Sequence, residues 1–491
     1  MEDGISYARR IRHLGAEGSK ENVVTHVRVD GTEAAAAWPE LDRRSSKLAV
    51  EFAARGLGAS DRLAIGLRNS PPFVLSALAA WKLGAVPVPM RWDLPDWELR
   101  RVRETVAARL NLSAEDLPWI DAAVNTVDPP DGDALDLPDV TSPLTHGICS
   151  SGSTGTPKVI LTTRPAVYEP QSGRPFIEAW HPVPRPQTVL VLAPMYHANG
   201  FATLFGLLAD DRLVVMEKFD AARVVDVIER HRVSTFTATP TMLQRIADLP
   251  GFEERDFSSI EWILQGAAPM PPSLVHRWAG LIGYERIVMA YGMSEGLGLT
   301  TLRGDEWKTH EGSVGRGIRG TEVRILDVDG RPVPTGELGE IYLRTPGAGG
   351  YRYLGGASRL RETEDGFQTA GDMGRLDEEG YLYLVDRRAD LIVTGGANVY
   401  PAEVEVALID HPKVADVVVI GLRDPEWGRR VHAVIEPADP GDPPTREDVV
   451  AYAKGRLAAY KVPKTIEIVE AIPRSAATKI NRRTLVETRG G

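Results

Sequence analysis

The sequence predicts an α/β protein: a large N-terminal domain of βα-layered subdomains with a β-rich subdomain, followed by a small α+β C-terminal domain. Three observations lead there. Up to about residue 320, short apolar runs alternate with amphipathic stretches at helical spacing, the pattern of a largely parallel sheet covered on both faces. From Glu322 onward, strand-like pieces come with Asp329-Gly330 and Glu379-Gly380 turns, which mark antiparallel hairpins. After Asp386 the texture changes again, to a mixed unit that closes the chain. With 491 residues, the chain is long enough for two or three domains around a large core.

The elements follow in order. Residues 41–56 place apolar side chains on one helical face and charges on the other. Residues 61–67 read as a short strand, 72–83 as a buried helix and 84–89 as the next strand. Residues 125–146, rich in Asp, Pro and Thr, read as a loop. Strands are expected at 188–193 and 212–216, an amphipathic helix at 219–231, then strand 260–264 and helix 272–278. Residues 322–327, 337–344 and 381–386 supply the hairpin strands, and the Gly-rich stretch 347–356 reads as a mobile turn. The final unit reads as helix 402–411, strand 416–421, helix 445–459 and a basic tail. The domains are therefore expected at 1–386 and 387–491.

Composition narrows the function. There are 57 basic and 68 acidic residues, for a net charge of −11, which argues against nucleic acid or an anionic membrane as partner. No apolar run reaches the roughly 18 residues of a spanning helix, and Met1–Gly4 lacks the basic start of a signal peptide. A cytoplasmic monomer or homodimer is expected. The single cysteine, Cys149, rules out an internal disulfide and a cysteine-based zinc site; it reads as a small buried filler.

The most informative stretch is Ser150-Ser151-Gly152-Ser153-Thr154-Gly155-Thr156-Pro157-Lys158. Alternating hydroxyl residues and glycines can turn backbone N–H groups, hydroxyls and one ammonium toward a phosphate chain. It is not a Walker A loop, since Pro157 precedes the lysine and Val159 follows it. A flexible Ser/Gly linker is the competing reading of these nine residues alone.

The loop has companions. Further on come Pro194-Met195-Tyr196-His197-Ala198-Asn199-Gly200, Gln265-Gly266-Ala267-Ala268-Pro269, Tyr291-Gly292-Met293-Ser294-Glu295 and Thr369-Ala370-Gly371-Asp372. Then follow Asp386-Arg387-Arg388-Ala389-Asp390, Gly395-Gly396-Ala397-Asn398 and Pro473-Arg474-Ser475-Ala476-Ala477-Thr478-Lys479. In this order and spacing they resemble the adenylate-forming superfamily, and within it bacterial bile-acid-type, aryl-acid and fatty-acid CoA ligases and the related amide bond synthetases. The resemblance covers nearly the whole chain.

It implies a mobile C-terminal domain and a two-step reaction. A carboxylate attacks the α-phosphate of Mg-ATP and releases pyrophosphate; CoA, or an amine, then displaces AMP from the acyl-adenylate. An anion approaching a polyanion needs preorganised positive charge, and the resemblance assigns this to Lys479. Ser475 and Thr478 stand where relatives usually have Thr and Gly. Ser151, Gly152, Ser153, Thr154, Gly155, Thr156 and Lys158 are implied to clamp the outer phosphates. Gly266, Ala267 and Ala268 are small enough to let adenine lie against the backbone. Tyr291, Gly292 and Ser294 lead to Glu295, whose carboxylate suits Mg2+ but also suits an exposed loop. Asp372 offers two acceptor oxygens to ribose hydroxyls, and Asp is equally common in turns; Arg387 adds ribose or phosphate contacts. His197 orients the acid or gates the acceptor, or is a structural histidine. Tyr196, Phe201, Met293 and Leu297 are implied pocket walls, suited to an aromatic, alicyclic or fatty acid. Ala389 is the implied hinge, and Gly395 and Gly396 line the implied CoA channel. The other readings are a ligase using an amine in place of CoA, and a non-catalytic nucleotide sensor.

Overall fold

A computed structural model of the chain describes residues 4–126, 137, 139–150, 158–170, 173–347, 350–355, 359–387, 390–394, 397–475 and 480–490. Its centre is a nine-stranded sheet in the spatial order Arg316–Gly317, Leu299–Arg303, Ile287–Gly292, Trp262–Gln265, Thr235–Ala238, Thr188–Val191, Arg212–Met216, Asn22–Val27 and Glu33–Ala37. The six strands from Ile287–Gly292 to Asn22–Val27 run parallel. Successive residues of one strand face opposite sides, so Leu213 and Val215 enter one core while Val214 and Met216 enter another.

Helices cover both faces. On one side lie Trp38–Ala54, Pro71–Lys82 and Ala198–Leu208; on the other lie Ala221–His231, Pro240–Ala247 and Pro272–Ile282. Their starts are encoded locally. Ser70 accepts a hydrogen bond from Phe73 N, and Asp220 from Arg223 N at 2.9 Å. Each thereby satisfies an orphan donor of the first turn. Helix Ala221–His231 buries Val224, Val225, Val227 and Ile228, the stripe its spacing predicts.

The βα-layered part of the chain holds a second, smaller sheet. The strands Arg62–Ile65 and Val86–Pro89 form a separate parallel sheet with Leu110–Leu112. Period and composition identify strands but carry no record of which sheet each joins. One correction concerns 347–356. Tyr351–Leu354 is a strand, paired antiparallel with Lys158–Thr162, which in turn pairs with Gly147–Ser150. The aromatic residues Tyr351 and Tyr353 favour a pleated surface and outweigh the flanking glycines.

The hairpin region forms a six-stranded antiparallel sheet that ends at Leu382–Arg387. From Ile392–Thr394 onward the strands join a five-stranded sheet built on the pairing of Val414–Asp424 with Gly428–Pro437. Helix Pro401–Ile409 packs on it. Helix Arg446–Lys454 opens with a reciprocal Thr445–Asp448 capping box. No helix among the described residues is long and apolar enough to cross a membrane.

Candidate active site

Three of the singled-out segments leave the same edge of one sheet. Pro194–His197 follows strand Thr188–Val191, Gly266–Ala268 follows Trp262–Gln265, and Met293–Glu295 follows Ile287–Gly292. All are carboxyl ends of parallel strands, where open α/β sheets form their ligand crevice.

The segment that carries His197 is held by a residue with no sequence signal. Asn69 is buried; its Nδ2 donates to Ala193 O at 3.1 Å and Met216 O at 3.0 Å, and its Oδ1 accepts from Met195 N at 2.7 Å. One amide thus joins two neighbouring strand ends. His197 then stands at the N-cap position of helix Ala198–Leu208, without a side-chain capping bond. The turn requires Gly200, since a Cβ there would collide with the Pro194 carbonyl oxygen. Gln265 braces the loop that follows its own strand, donating from Nε2 to Ala268 O at 2.5 Å and Gly266 O at 3.2 Å. Ala267 is held at φ +74, a conformation unusual without glycine and typical of functional loops.

Tyr291 and Asp372 meet: the Tyr291 hydroxyl donates to Asp372 Oδ2 at 2.7 Å. Gly371, at φ +89, makes the bend before strand Asp372–Leu376. In the neighbouring strand Arg387 is the register partner of Asp372, so the backbone sets the two side by side. Gly292 ends its strand, and Ser294 is exposed beyond it.

Glu295 is joined to the phosphate-loop strand through a tyrosine that the sequence reading passed over. The Tyr353 hydroxyl donates to Glu295 Oε1 at 2.6 Å, and Lys158 Nζ lies 5.1 Å from the Tyr353 ring centroid. Burial, aided by the Glu295 carboxylate, raises the Tyr353 phenol well above its ordinary value, so it stays a neutral donor. The alternation of Tyr351 and Tyr353 was the available signal. Cys149 faces Val159 across the adjacent strand pair. Burial pushes its thiol up to about 12, which fits a filler and not a nucleophile.

The four expected wall residues separate. Met293 and Leu297 pack with Ile325, Ile341 and Leu343 in the core of the antiparallel sheet. Tyr196 is buried beside His197, ring centroids 4.5 Å apart. Phe201, the fourth expected wall residue, is 0 % exposed and packs against Phe73, Trp81, Phe205 and His146. Its position three residues into an apolar helix places it on the face turned toward Trp81.

His146 stacks on Phe201 at 5.0 Å between centroids, and its Nδ1 pairs with Thr145 Oγ1 at 3.0 Å. The residue is half-buried, and burial drops its pKa to about 4. The neutral form is favoured on folding. Between about pH 6.5 and 4 the unfolded chain therefore binds more protons, and stability falls as pH falls. We expect about 2 kcal/mol less stability at pH 5 than at pH 7 from this group. Urea unfolding of wild type and His146→Phe at both pH values checks it: the variant should lose that part of the slope, and equal slopes would refute it.

Ser151–Thr156, Ala389, Gly395, Gly396 and Lys479 lie outside the described residues, as does the side chain of Arg387. What flanks Lys479 is described. Arg474 forks onto Asp416, Nε to Oδ2 at 2.6 Å and Nη2 to Oδ1 at 2.7 Å. Its backbone bridges that of Ile480, and Ile480 packs against a cluster containing Val418, Ile420 and Leu485. Arg482 donates to both oxygens of Glu405 at 2.7 Å and reaches Asp390 at 3.7 Å. The chain on both sides of residues 476–479 is thus tied to the C-terminal sheet.

Comparison with known proteins matches residues 16–351 to the family described as AMP-binding enzyme and residues 403–479 to the AMP-binding enzyme C-terminal domain. A feruloyl-CoA synthase of Amycolatopsis sp is 34% identical over 485 residues, covering 93% of this chain and 94% of that protein. A long-chain-fatty-acid–CoA ligase of Mycobacterium tuberculosis is 31% identical over 482 residues, covering 93% of each. Among solved structures, o-succinylbenzoate CoA synthetase of Bacillus subtilis, in complex with its acyl-adenylate intermediate, aligns with a TM-score of 0.80 at 25% identity, covering 99% of both chains.

Proposed function

The chain belongs to the AMP-binding enzyme family, an adenylate-forming carboxylate ligase, and on that premise we propose that it activates an aromatic, alicyclic or fatty carboxylic acid with Mg-ATP and passes the acyl group to CoA. The observation that carries this reading is the gathering of His197, Gly266–Ala268 and Tyr291–Glu295 on one sheet edge, with Asp372 joined to Tyr291.

In the first step an acid oxygen bonds to the α-phosphorus, and the bond to the bridging oxygen breaks. Pyrophosphate departs with the electron pair. Lys479 stands between the two anions as a compact positive charge. Thr154 and Lys158, with the rest of the loop 151–156, hold the departing phosphates. Asp372 receives the ribose hydroxyls; Tyr291 occupies one of its acceptor sites, and a carboxylate has about four. Arg387 adds a ribose or phosphate contact, and the small side chains of Gly266–Ala268 leave adenine room against the backbone.

Magnesium fits this donor set. The ion needs only one or two carboxylates beside phosphate oxygens and water; Glu295 supplies one. No cluster of three or more His, Cys, Asp or Glu exists among the described residues to form a protein cage. The ion would neutralise charge between the outer phosphates.

In the second step the acceptor sulfur bonds to the acyl carbonyl carbon, and AMP leaves. His197 orients the acid or gates this acceptor, Gly395 and Gly396 line its channel, and Ala389 is the hinge between domains 1–386 and 387–491. The substrate class is supported by the feruloyl and long-chain acyl groups in the names of the two relatives.

The test is direct. Purified protein is given ATP, Mg2+ and a panel of carboxylic acids, with either CoA or a primary amine. Pyrophosphate release and product mass are followed. Acid-dependent pyrophosphate and a thioester are expected. An amide with no thioester would assign an amine acceptor instead, and nucleotide binding without acid-dependent pyrophosphate would make the protein a sensor.

A further inference from the structure

Tyr196 carries a hydroxyl that none of the described residues partners. The residue is 3 % exposed, and its Oη is buried with no hydrogen-bond partner among the described residues. The polar side chains in electrostatic reach are spoken for. Arg91 and Asp93 pair with each other, Nε to Oδ1 at 2.6 Å and Nη2 to Oδ2 at 3.1 Å. The backbone of the segment is pinned by the bond from Met195 N to Asn69.

A buried hydroxyl without a partner costs more than the phenylalanine that would fill the same space. A bound ligand is a partner that would answer it. Tyr196 precedes His197 at the carboxyl edge of the sheet, with the rings 4.5 Å apart. The residues proposed above for adenine, ribose and magnesium leave other strand ends, so the acyl part of the acid is the ligand nearest Tyr196.

We propose that the Tyr196 hydroxyl donates a hydrogen bond to an acceptor oxygen on the acyl part of the acid, and so selects oxygenated acids over hydrocarbon ones. The inference rests on the acid-activating reading. Burial holds the phenol up at about 12, so the group is a neutral donor at any working pH.

The experiment compares cinnamic acid with 4-hydroxycinnamic acid as substrates for wild type and Tyr196→Phe, by pyrophosphate release. It also records the thermal midpoint of each protein without ligand. Wild type should favour the hydroxylated acid. In the variant the ratio of the two kcat/KM values should fall about 10-fold, the worth of one neutral hydrogen bond. The ligand-free variant should melt at the same temperature as wild type or about 1–3 °C higher, because an unsatisfied hydroxyl is gone. An equal loss on both acids, no preference in wild type, or a lower midpoint for the variant would each overturn the proposal. Failure of wild type to activate any acid of the wider panel would overturn the acid-activating reading itself.

Discussion

Lys479→Ala is expected to lower acid-dependent ATP–pyrophosphate exchange by at least about 10²-fold, the cost of one lost transition-state donor, while nucleotide binding persists. Charge is what the first step lacks: a carboxylate must reach an already anionic phosphorus. The surroundings of Lys479 suit a residue that is delivered, not one left free on a tail. Arg474 is forked onto Asp416 and bridges Ile480, and Ile480 is packed in an apolar cluster. The lysine's neighbours are therefore fixed to the C-terminal sheet. Isotope exchange between pyrophosphate and ATP, with nucleotide binding as a control, measures the effect. Exchange at the wild-type rate would remove Lys479 from the mechanism.

Phe201→Ala is expected to destabilise the protein by about 3–5 kcal/mol, the range for a deleted core aromatic. The ring is 0 % exposed and meets Phe73, Trp81, His146 and Phe205 within centroid distances of 5.0 to 6.5 Å. Those neighbours are tethered. Trp81 Nε1 donates to Thr145 O at 2.8 Å, and His146 pairs with Thr145 Oγ1. A cavity left by the ring cannot collapse easily. Urea unfolding gives the number, and a loss below about 1 kcal/mol would show that the ring lines open space instead of filling the core.

Much of the molecule could be read from the chain. The helix centred on residues 221–231 carries a single apolar stripe and its own Asp220 cap. After their first residues, the strands 188–191 and 212–216 are apolar runs of the kind a covered parallel sheet demands. The ordered set of motifs led to the family, because chemistry on a nucleotide leaves small and charged residues where apolar periodicity would otherwise continue. Local rules failed where a position was decided by its neighbours in space. Tyr351–Leu354 became a strand because Lys158–Thr162 offers it an edge to pair with. Phe201 directly follows the motif 194–200, and only the packing of its helix shows that it meets Trp81 and Phe205. Asn69 stands in a segment of no chemical note, and only tertiary structure brings its amide between Ala193, Met195 and Met216.

The sequence by itself determined which chemistry-bearing residues exist and in what order, and the local pattern that makes each element a helix or a strand. Those properties depend on neighbours along the chain. The tertiary structure decided which of those residues share one sheet edge, that Tyr291 grips Asp372 and Tyr353 grips Glu295, and that the Tyr196 hydroxyl finds no partner among the described residues. The two contacts join residues 81 and 58 positions apart. Their energies come from geometry that closes only when the strands have found their partners.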